Sequence, residues 1–215
     1  SHFFGDKFSR AYDVTFTGRD NTLQYPFQTS WGSSTRLIGA VIMTHSDNHG
    51  LVLPPVIAPT QVVVIPIAQH KPGVLDAAAA LKDRLTAAGL RVAMDDSEQS
   101  AGWKFAQYEM KGVPLRVEIG PKDMEKEQCC VARRDTGEKT FVPLAGLEDA
   151  IKGLLQDVHD NLYNMAAKNL EENTFDMTDW HEVKAMADGK GGLARTKWCG
   201  SLECELAMKE KAGVS

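Results

Sequence analysis

QVVVIPIAQHKPGVLDAAAALKDRLTAAGLRVAMDD, residues 61–96, is the stretch that decides the fold class of this chain. Its first seven residues form an uncharged apolar run, which is typical of a strand buried on both faces. Apolar residues then recur at helical spacing from Val74 to Ala88, the pattern stops at Gly89, and RVAMDD predicts a second strand. Two strands joined by a helix imply parallel pairing through a right-handed crossover, so the sequence predicts an α/β fold.

The alternation of strands and helices continues on the C-terminal side of this stretch. Residues 101–111 have the pattern of a second helix, and LRVEIG has that of a third strand. CCVARRDTGEKTFVPL, residues 129–144, predicts a hairpin, and a long helix with one apolar face follows it. Together these elements predict a compact α/β domain with a mixed sheet over residues 59–173.

A different organisation is predicted on the N-terminal side. DVTFT and LQYPFQTSW have strand character and are separated by GRDN, a run of turn residues. Ser33 or Ser34 can cap a following helix. A proline-rich connector then precedes residue 59 and marks a domain boundary.

Composition excludes several classes of protein. Hydrophobic residues make up 43% and charged residues 25% of 215 residues, and no apolar run approaches the ~20 residues that cross a bilayer. The N-terminus lacks the pattern of a signal peptide, and four cysteines give no secreted disulfide framework, so we expect a cytoplasmic protein with no membrane partner. A net charge of −5 argues against bulk attraction to nucleic acid. The acids concentrate in residues 147–182, which leaves a mildly basic remainder able to carry a local RNA-binding face.

One charge stands in an unusual position. In QTSWGSSTRLIGAVIM, residues 28–43, Arg36 falls in the first turn of the predicted helix. The free N–H groups there already carry partial positive charge, so the arginine requires an anionic partner. Taken alone, Arg36 could also be a surface ion-pair partner and Trp31 a core aromatic.

Three segments carry a resemblance to a known family. TSWGSSTRLIGAVIMTHSDNHGLVLPPVIAPTQVVVIPI, AGWKFAQYEMKGVPLRVEIGPKD and ARTKWCGSLECE closely resemble prolyl-tRNA synthetase of the type with a C-terminal zinc-binding extension. The resemblance covers essentially the whole chain. It implies the end of a class II catalytic domain over residues 1–58, with an antiparallel strand and the motif 3 helix. It further implies an anticodon-binding domain over 59–173 and part of a small α+β domain over 174–215.

The resemblance also implies an activity. The full enzyme would be a homodimer. It would use ATP and Mg²⁺ to convert L-proline to prolyl-adenylate, and would then transfer the prolyl group to the 3′ end of tRNA(Pro) with release of AMP. Because this chain resembles a fragment without motifs 1 and 2, we expect it to be inactive alone. A non-catalytic tRNA-binding module is the alternative, and another class II synthetase is disfavoured by TSWG and GWKF.

Site residues carried over by the resemblance fall into two sets, and no catalytic residue is assigned. Those of motif 3 would bind ATP through Ser34 and Arg36, and proline through His2, Ser30, Trp31 and Gly32. Those of the anticodon domain would be Phe105, Glu109, Arg116, Lys122 and Asp123.

The anticodon set has the chemistry that guanine requires. Proline anticodons end in two guanines, whose donor edge suits a carboxylate and whose acceptor edge suits an arginine or lysine. Phe105 would offer a stacking surface. For Glu109 and Lys104, a solvated helix face with a marginal pair between them is an equal interpretation. Ala101 stands where the family commonly has proline.

The cysteines form two pairs of different character. Cys129 and Cys130 are adjacent on a predicted strand, so they point to opposite faces and are expected to pack rather than bind metal. Cys199 and Cys204 look like the first half of the family's zinc site. Structural Zn²⁺ takes four ligands, so the second pair is expected beyond Ser215, and the chain as given holds a bare pair of thiols.

Overall fold

The computed structural model describes residues 1–214, which divide into two compact units at Met43 and Thr44. Residues 44–58, predicted to close the N-terminal domain, are grouped with the second unit, and Val52 among them is buried in its core. The predicted domains at 1–58, 59–173 and 174–215 stay predictions.

The first unit contains two small antiparallel sheets. Its elements in chain order are β1 (His2–Gly5), α1 (Lys7–Ala11), β2 (Phe16–Thr17), β3 (Leu23–Gln24), β4 (Gln28–Ser30) and α2 (Arg36–His45). β2 pairs with β3, and β1 pairs with β4. The predicted strand, turn, strand and helix are found in that order, but the second predicted strand, LQYPFQTSW, is divided into β3 and β4, which belong to different sheets; β1 and α1 were not predicted. The apolar stretch after Arg36 forms α2 because its residues have helical spacing and a serine precedes it.

The second unit is built on a five-stranded sheet of order β6-β5-β7-β8-β9. Its elements up to the long helix are β5 (Val62–Pro66), α3 (Val74–Ala87), β6 (Val92–Met94), α4 (Ala101–Met110), β7 (Leu115–Ile119), α5 (Pro121–Glu125), β8 (Gln128–Arg133), β9 (Lys139–Pro143) and α6 (Leu147–Glu172). β5 is parallel to β6 and β7, whereas β7, β8 and β9 are antiparallel. This is the predicted mixed sheet, and of these elements only α5 was not predicted.

The two faces of the sheet are covered unequally. One face packs against α3 and α6 in a continuous apolar core. The opposite face buries Val63, Ile65 and Val113 under Phe105 and Tyr108 of α4. Helix α4 covers the β5 side of that face, while Phe141 of β9 on the same face is exposed. On this face β9 is therefore exposed, whereas the side chains of β7 and β8 are largely buried.

Residues after α6 form a small α+β arrangement. Its elements are β10 (Thr174–Asp176), α7 (Trp180–Asp188), β11 (Leu193–Arg195) and α8 (Leu202–Ala212). β10 and β11 pair in parallel, and α7 packs against α8. Within residues 1–214, none of the helices has both the length and the apolar character needed to cross a membrane.

Candidate functional site

Strand β7 places two charged side chains on the face of the sheet that α4 partly covers. Its odd-numbered residues enter the core, so Arg116 and Glu118 point the other way. The register of β8 and β9 sets Arg116 in line with Ala132 and Lys139. A small alanine between the two cations leaves space for long side chains to meet above the sheet.

The side chains that meet there form one network, the Arg116 cluster, consisting of Phe105, Glu109, Arg116, Glu118 and Lys139. Arg116 Nε donates to Glu118 Oε1 at 3.0 Å, and its Nη1 donates to Glu109 Oε1 at 3.0 Å. Lys139 Nζ lies 3.0 Å from Glu118 Oε1. The Arg116 guanidinium carbon lies 3.9 Å from the centroid of the Phe105 ring, within cation–π range.

Exposure separates the inner members of the cluster from the outer ones. Arg116 and Glu118 are each 8% exposed, whereas the side chain of Glu109 is 42% exposed. The buried arginine is held firmly between the two carboxylates, because breaking either ion pair would leave an uncompensated buried charge. Glu109 is thus held by one of its oxygens and presents the rest of its carboxylate to solvent.

A cavity of about 300 Å³ opens beside the cluster. Its wall includes Glu109, Arg116, Arg134 and Asp47, together with Gly137 of the β8–β9 turn. The wall carries both hydrogen-bond donors and acceptors, and the volume lies at the lower end for small-ligand sites. The cavity can therefore accept a planar polar group with both donors and acceptors.

The structure contradicts the interpretation of Lys104 as part of a solvated helix face and paired with Glu109. The Lys104 ammonium is buried, donates to the backbone oxygen of Asp95 at 2.9 Å and to Gln69 Oε1 at 3.1 Å, and does not pair with Glu109. Burial raises the pKa of Asp95, but hydrogen bonds from Ser97 and the charge of Lys104 outweigh it, so that pKa lies below its usual value. Lys104 fixes α4 to the loops after β5 and β6.

Lys122 and Asp123 lie at the other end of β7. Arg116 is near the start of the strand and α5 follows its end, a separation of roughly 15 Å along an extended chain. Asp123 Oδ2 accepts a hydrogen bond from the Gly120 amide at 3.0 Å, and Lys122 is exposed. The structure therefore does not bring these two residues into the Arg116 cluster.

Residues predicted for ATP and proline lie along β4 and the start of α2. β1 and β4 pair His2 directly with Ser30, and Trp31 is exposed just after the strand. Ser34 Oγ accepts a hydrogen bond from the Arg36 amide at 3.3 Å, as a residue capping the helix would. Gly32 has open space on the side where a Cβ would stand.

The cysteines behave as two separate pairs. Cys129 lies in the core while Cys130 lies on the opposite face, and burial raises the pKa of Cys129 to about 12. Cys199 and Cys204 are exposed, and the Ser201 amide followed by the Cys204 thiol lowers the pKa of Cys199. No group of three or more histidine, cysteine or acidic side chains suited to a metal occurs within residues 1–214. Two thiols do not complete a tetrahedral zinc site.

Two features of the site were not predicted from the sequence. Glu118 was overlooked, although its spacing of two from Arg116 on a strand places both side chains on one face. The pair of Asp47 and Arg134 joins residues 87 apart in the chain, and no local pattern indicates it.

Comparison with known proteins connects this site to a family. Residues 61–154 match the anticodon binding domain. The chain is 51% identical to Proline--tRNA ligase 2 of Bacillus thuringiensis and 51% identical to the proline--tRNA ligase of Ruminiclostridium cellulolyticum, and each alignment covers 100% of this chain and 45% of the relative. A crystal structure of prolyl-tRNA synthetase from Cryptosporidium parvum, complexed with L-proline and AMP, aligns with a TM-score of 0.88 at 36% identity.

The extent of these matches defines what is similar. The crystal structure is matched over 99% of this chain and 46% of its own length. The chain spans about 45% of the length of the curated relatives it matches. This chain is therefore similar over essentially its whole length to one part of the proline--tRNA ligases, and its residues 61–154 match the anticodon-binding domain family.

Proposed function

We propose that this chain provides anticodon recognition to an ATP-dependent proline--tRNA ligase and reads guanine through the Arg116 cluster. The proposal rests on the half-exposed carboxylate of Glu109, which the buried Arg116 holds in place. Both residues lie within the segment that matches the anticodon binding domain. A carboxylate positioned in this way accepts hydrogen bonds well, because its orientation is set before a ligand arrives.

Guanine has the complementary groups. Its N1–H and N2–H₂ donors suit Glu109, while O6 and N7 can accept from a cation such as Lys139, which extends from β9, two strands away from β7. The stacked pair of Phe105 and Arg116 offers a planar edge beside the base. In this proposal Arg116 acts mainly by orienting the two carboxylates, since two of its N–H groups already donate to them. Lys122 and Asp123 would contact RNA at the far end of β7.

The first unit would contribute part of the aminoacylation site. By similarity, Arg36 and Ser34 would contact ATP, and the Ser34 hydroxyl keeps its own proton available because it accepts, rather than donates, in its bond to the Arg36 amide. His2, Ser30, Trp31 and Gly32 would line the proline pocket. The relative crystallised with L-proline and AMP supports these assignments. Mg²⁺, a homodimeric whole enzyme and a cytoplasmic location belong to the same proposal.

Titration of the chain with two fluorescent anticodon stem-loops tests the proposal. One loop carries two adjacent guanines and the other has adenines in their place. We expect the guanine loop to bind about tenfold more tightly, and Glu109→Gln to remove most of that preference. Glu172→Gln, an exposed change on α6, is the matched control and should preserve the preference. Equal binding of both loops by the unaltered chain would refute guanine recognition.

A further inference from the structure

Arg134 is a nearly buried arginine directly after β8 that joins two segments distant in the chain. Its Nε donates to the backbone oxygen of Glu109 at 2.9 Å. Nη1 and Nη2 donate to the two carboxylate oxygens of Asp47 at 2.7 and 2.6 Å. The side chain is only 6% exposed. Because one planar group makes all three bonds, it fixes Glu109 relative to Asp47.

Residues 47–53 lie directly against the end of α4. Asp47 and Gly50 exchange backbone hydrogen bonds of 3.1 and 3.2 Å, and the Leu51 amide donates to the Met110 oxygen at 3.0 Å. Gly50 has a φ of +130°, and a Cβ there would lie 2.6 Å from Met110 Cα. The contact is backbone against backbone, with no space for a methyl group.

The end of α4 depends on these contacts for its geometry. The last four carbonyl groups of a helix lack partners within it, and a cation near them is favourable. The Glu109 oxygen receives Arg134, and the Met110 oxygen receives Leu51. The Glu109 side chain has only one hydrogen bond to another residue of the described chain, with Arg116. Arg116 therefore orients the Glu109 carboxylate, while Arg134 holds the backbone from which that side chain extends.

We propose that Arg134 and Asp47 are positioning residues for guanine recognition: they hold the last turn of α4 so that the Glu109 carboxylate meets the base. The inference rests on the proposed role of Glu109. Neither residue needs to contact the base itself. Selectivity for guanine should thus depend on the contact between residues 47–53 and α4, apart from any attraction between Arg134 and RNA phosphates.

Two variants break this contact by different means. Arg134→Gln removes the bonds to Asp47, whereas Gly50→Ala pushes residues 47–53 away from Met110 and keeps every charge. Arg84→Gln is the matched control, because Arg84 also bonds a carboxylate through two nitrogens, in Glu148, and a backbone oxygen, in Leu144. That control pair connects α3 with α6, on the other side of the sheet.

The probes are two short RNA stem-loops with either two guanines or two inosines in the loop, since inosine lacks the N2 amino group. We expect the unaltered chain and Arg84→Gln to prefer the guanine loop about tenfold. In Arg134→Gln and Gly50→Ala the preference should fall to about threefold or less, with the salt dependence of binding unchanged. Circular dichroism at the assay temperature confirms that each variant is folded. If Gly50→Ala does not fold, Asp47→Asn replaces it.

Four results would overturn the inference. If Arg134→Gln weakens both RNAs equally and lowers the salt slope by about one, Arg134 is a phosphate contact. If Gly50→Ala or Asp47→Asn keeps the full preference while Arg134→Gln loses it, Arg134 acts on the base directly. If Glu109→Gln loses the preference and no Arg134 variant does, this inference alone fails. Equal binding of the guanine and inosine loops by the unaltered chain would mean that the N2 amino group is not recognised, and would overturn the inference as well; the guanine and adenine loops test guanine recognition itself.

Discussion

Replacement of Lys104 by methionine removes the ammonium group that fixes helix α4 to the loops after β5 and β6. The methionine keeps an unbranched side chain in place, so the change isolates the charge from the packing. The ammonium donates to the Asp95 backbone oxygen and to Gln69 Oε1, and lies 3.7 Å from Asp95 Oδ1. Because the side chain is only 3% exposed, solvent screens these contacts weakly.

The magnitude follows from opposing contributions. Each hydrogen bond to a charged group is worth about 1.5–3 kcal/mol, and release of the ammonium from burial offsets part of their loss. Leaving a buried carboxylate without its cation costs about 3–5 kcal/mol when it has no other partner, but Asp95 keeps a 3.0 Å bond from the Ser97 amide. We therefore expect Lys104→Met to lower the free energy of unfolding by about 2–3 kcal/mol.

Urea unfolding followed by circular dichroism measures this change. Lys126→Met, at an exposed position, is the control and should stay within about 0.5 kcal/mol of the unaltered chain. Adding Asp95→Asn to Lys104→Met removes the isolated charge, so the double variant should be more stable than additivity predicts by about 1 kcal/mol. A single variant as stable as the unaltered chain, or strict additivity, would refute the structural role of Lys104.

The pH dependence has a defined sign. The pKa of Asp95 is lowered in the folded chain, so its contribution is fully present above the unfolded pKa of about 3.9 and is lost as pH falls below it. Without Lys104 the folded pKa rises. The stability difference between the unaltered chain and Lys104→Met should therefore be largest near neutral pH and shrink below about pH 4.

Three further predictions concern ATP, thiols and zinc. In an intact enzyme, Arg36→Lys keeps the charge but loses bidentate geometry, so the KM for ATP should rise while tRNA affinity stays constant; an unchanged KM contradicts the assignment. Iodoacetamide at neutral pH should label Cys199 before the buried Cys129, because a pKa of about 12 keeps the Cys129 thiol protonated. Peptide mass spectrometry measures the order of labelling, and earlier labelling of Cys129 would contradict this prediction. The chain should purify with less than one zinc ion, whereas a version extended by a second cysteine pair should hold about one; a full equivalent lost on Cys199→Ser would mean a different ligand set.

Local sequence patterns determined the elements of the sheet-containing unit. The run at β5 and the periodicities of α3 and α6 appear in the structure close to their predicted limits. α4 ends beside Gly112, whose φ of +71° favours glycine, as expected from a helix that stops there. These features depend on residues within a turn or two of each other, so a linear pattern records them. The short α5 was not predicted, although Pro121 at its start is a recognised signal.

The resemblance to the family indicated which residues should bind RNA, but only the tertiary structure decided what each of them contacts. Glu109 and Arg116 were both expected to contact RNA bases. In the structure, Arg116 donates a hydrogen bond to the Glu109 carboxylate and orients it. Lys104 was expected at the surface beside Glu109, but packing of α4 directs it inward to Asp95. Which side of a helix faces the sheet depends on how the complete surfaces of the helix and the sheet fit together. The spacing of apolar residues in α4 did not decide which side of that helix packs inward.

The sequence by itself determined the α/β class, the succession of strands and helices along residues 59–173, and the position of a helix start beside Arg36. Each depends on hydrophobic spacing and capping between near neighbours. Only the tertiary structure decided that Arg116 is buried between Glu109 and Glu118. It also decided that Arg134 forms an ion pair with Asp47, which is 87 residues earlier in the chain. Charged contacts across a sheet form where strand register and helix packing bring segments that are distant in the chain close together. A local sequence pattern does not show which distant segments come into contact.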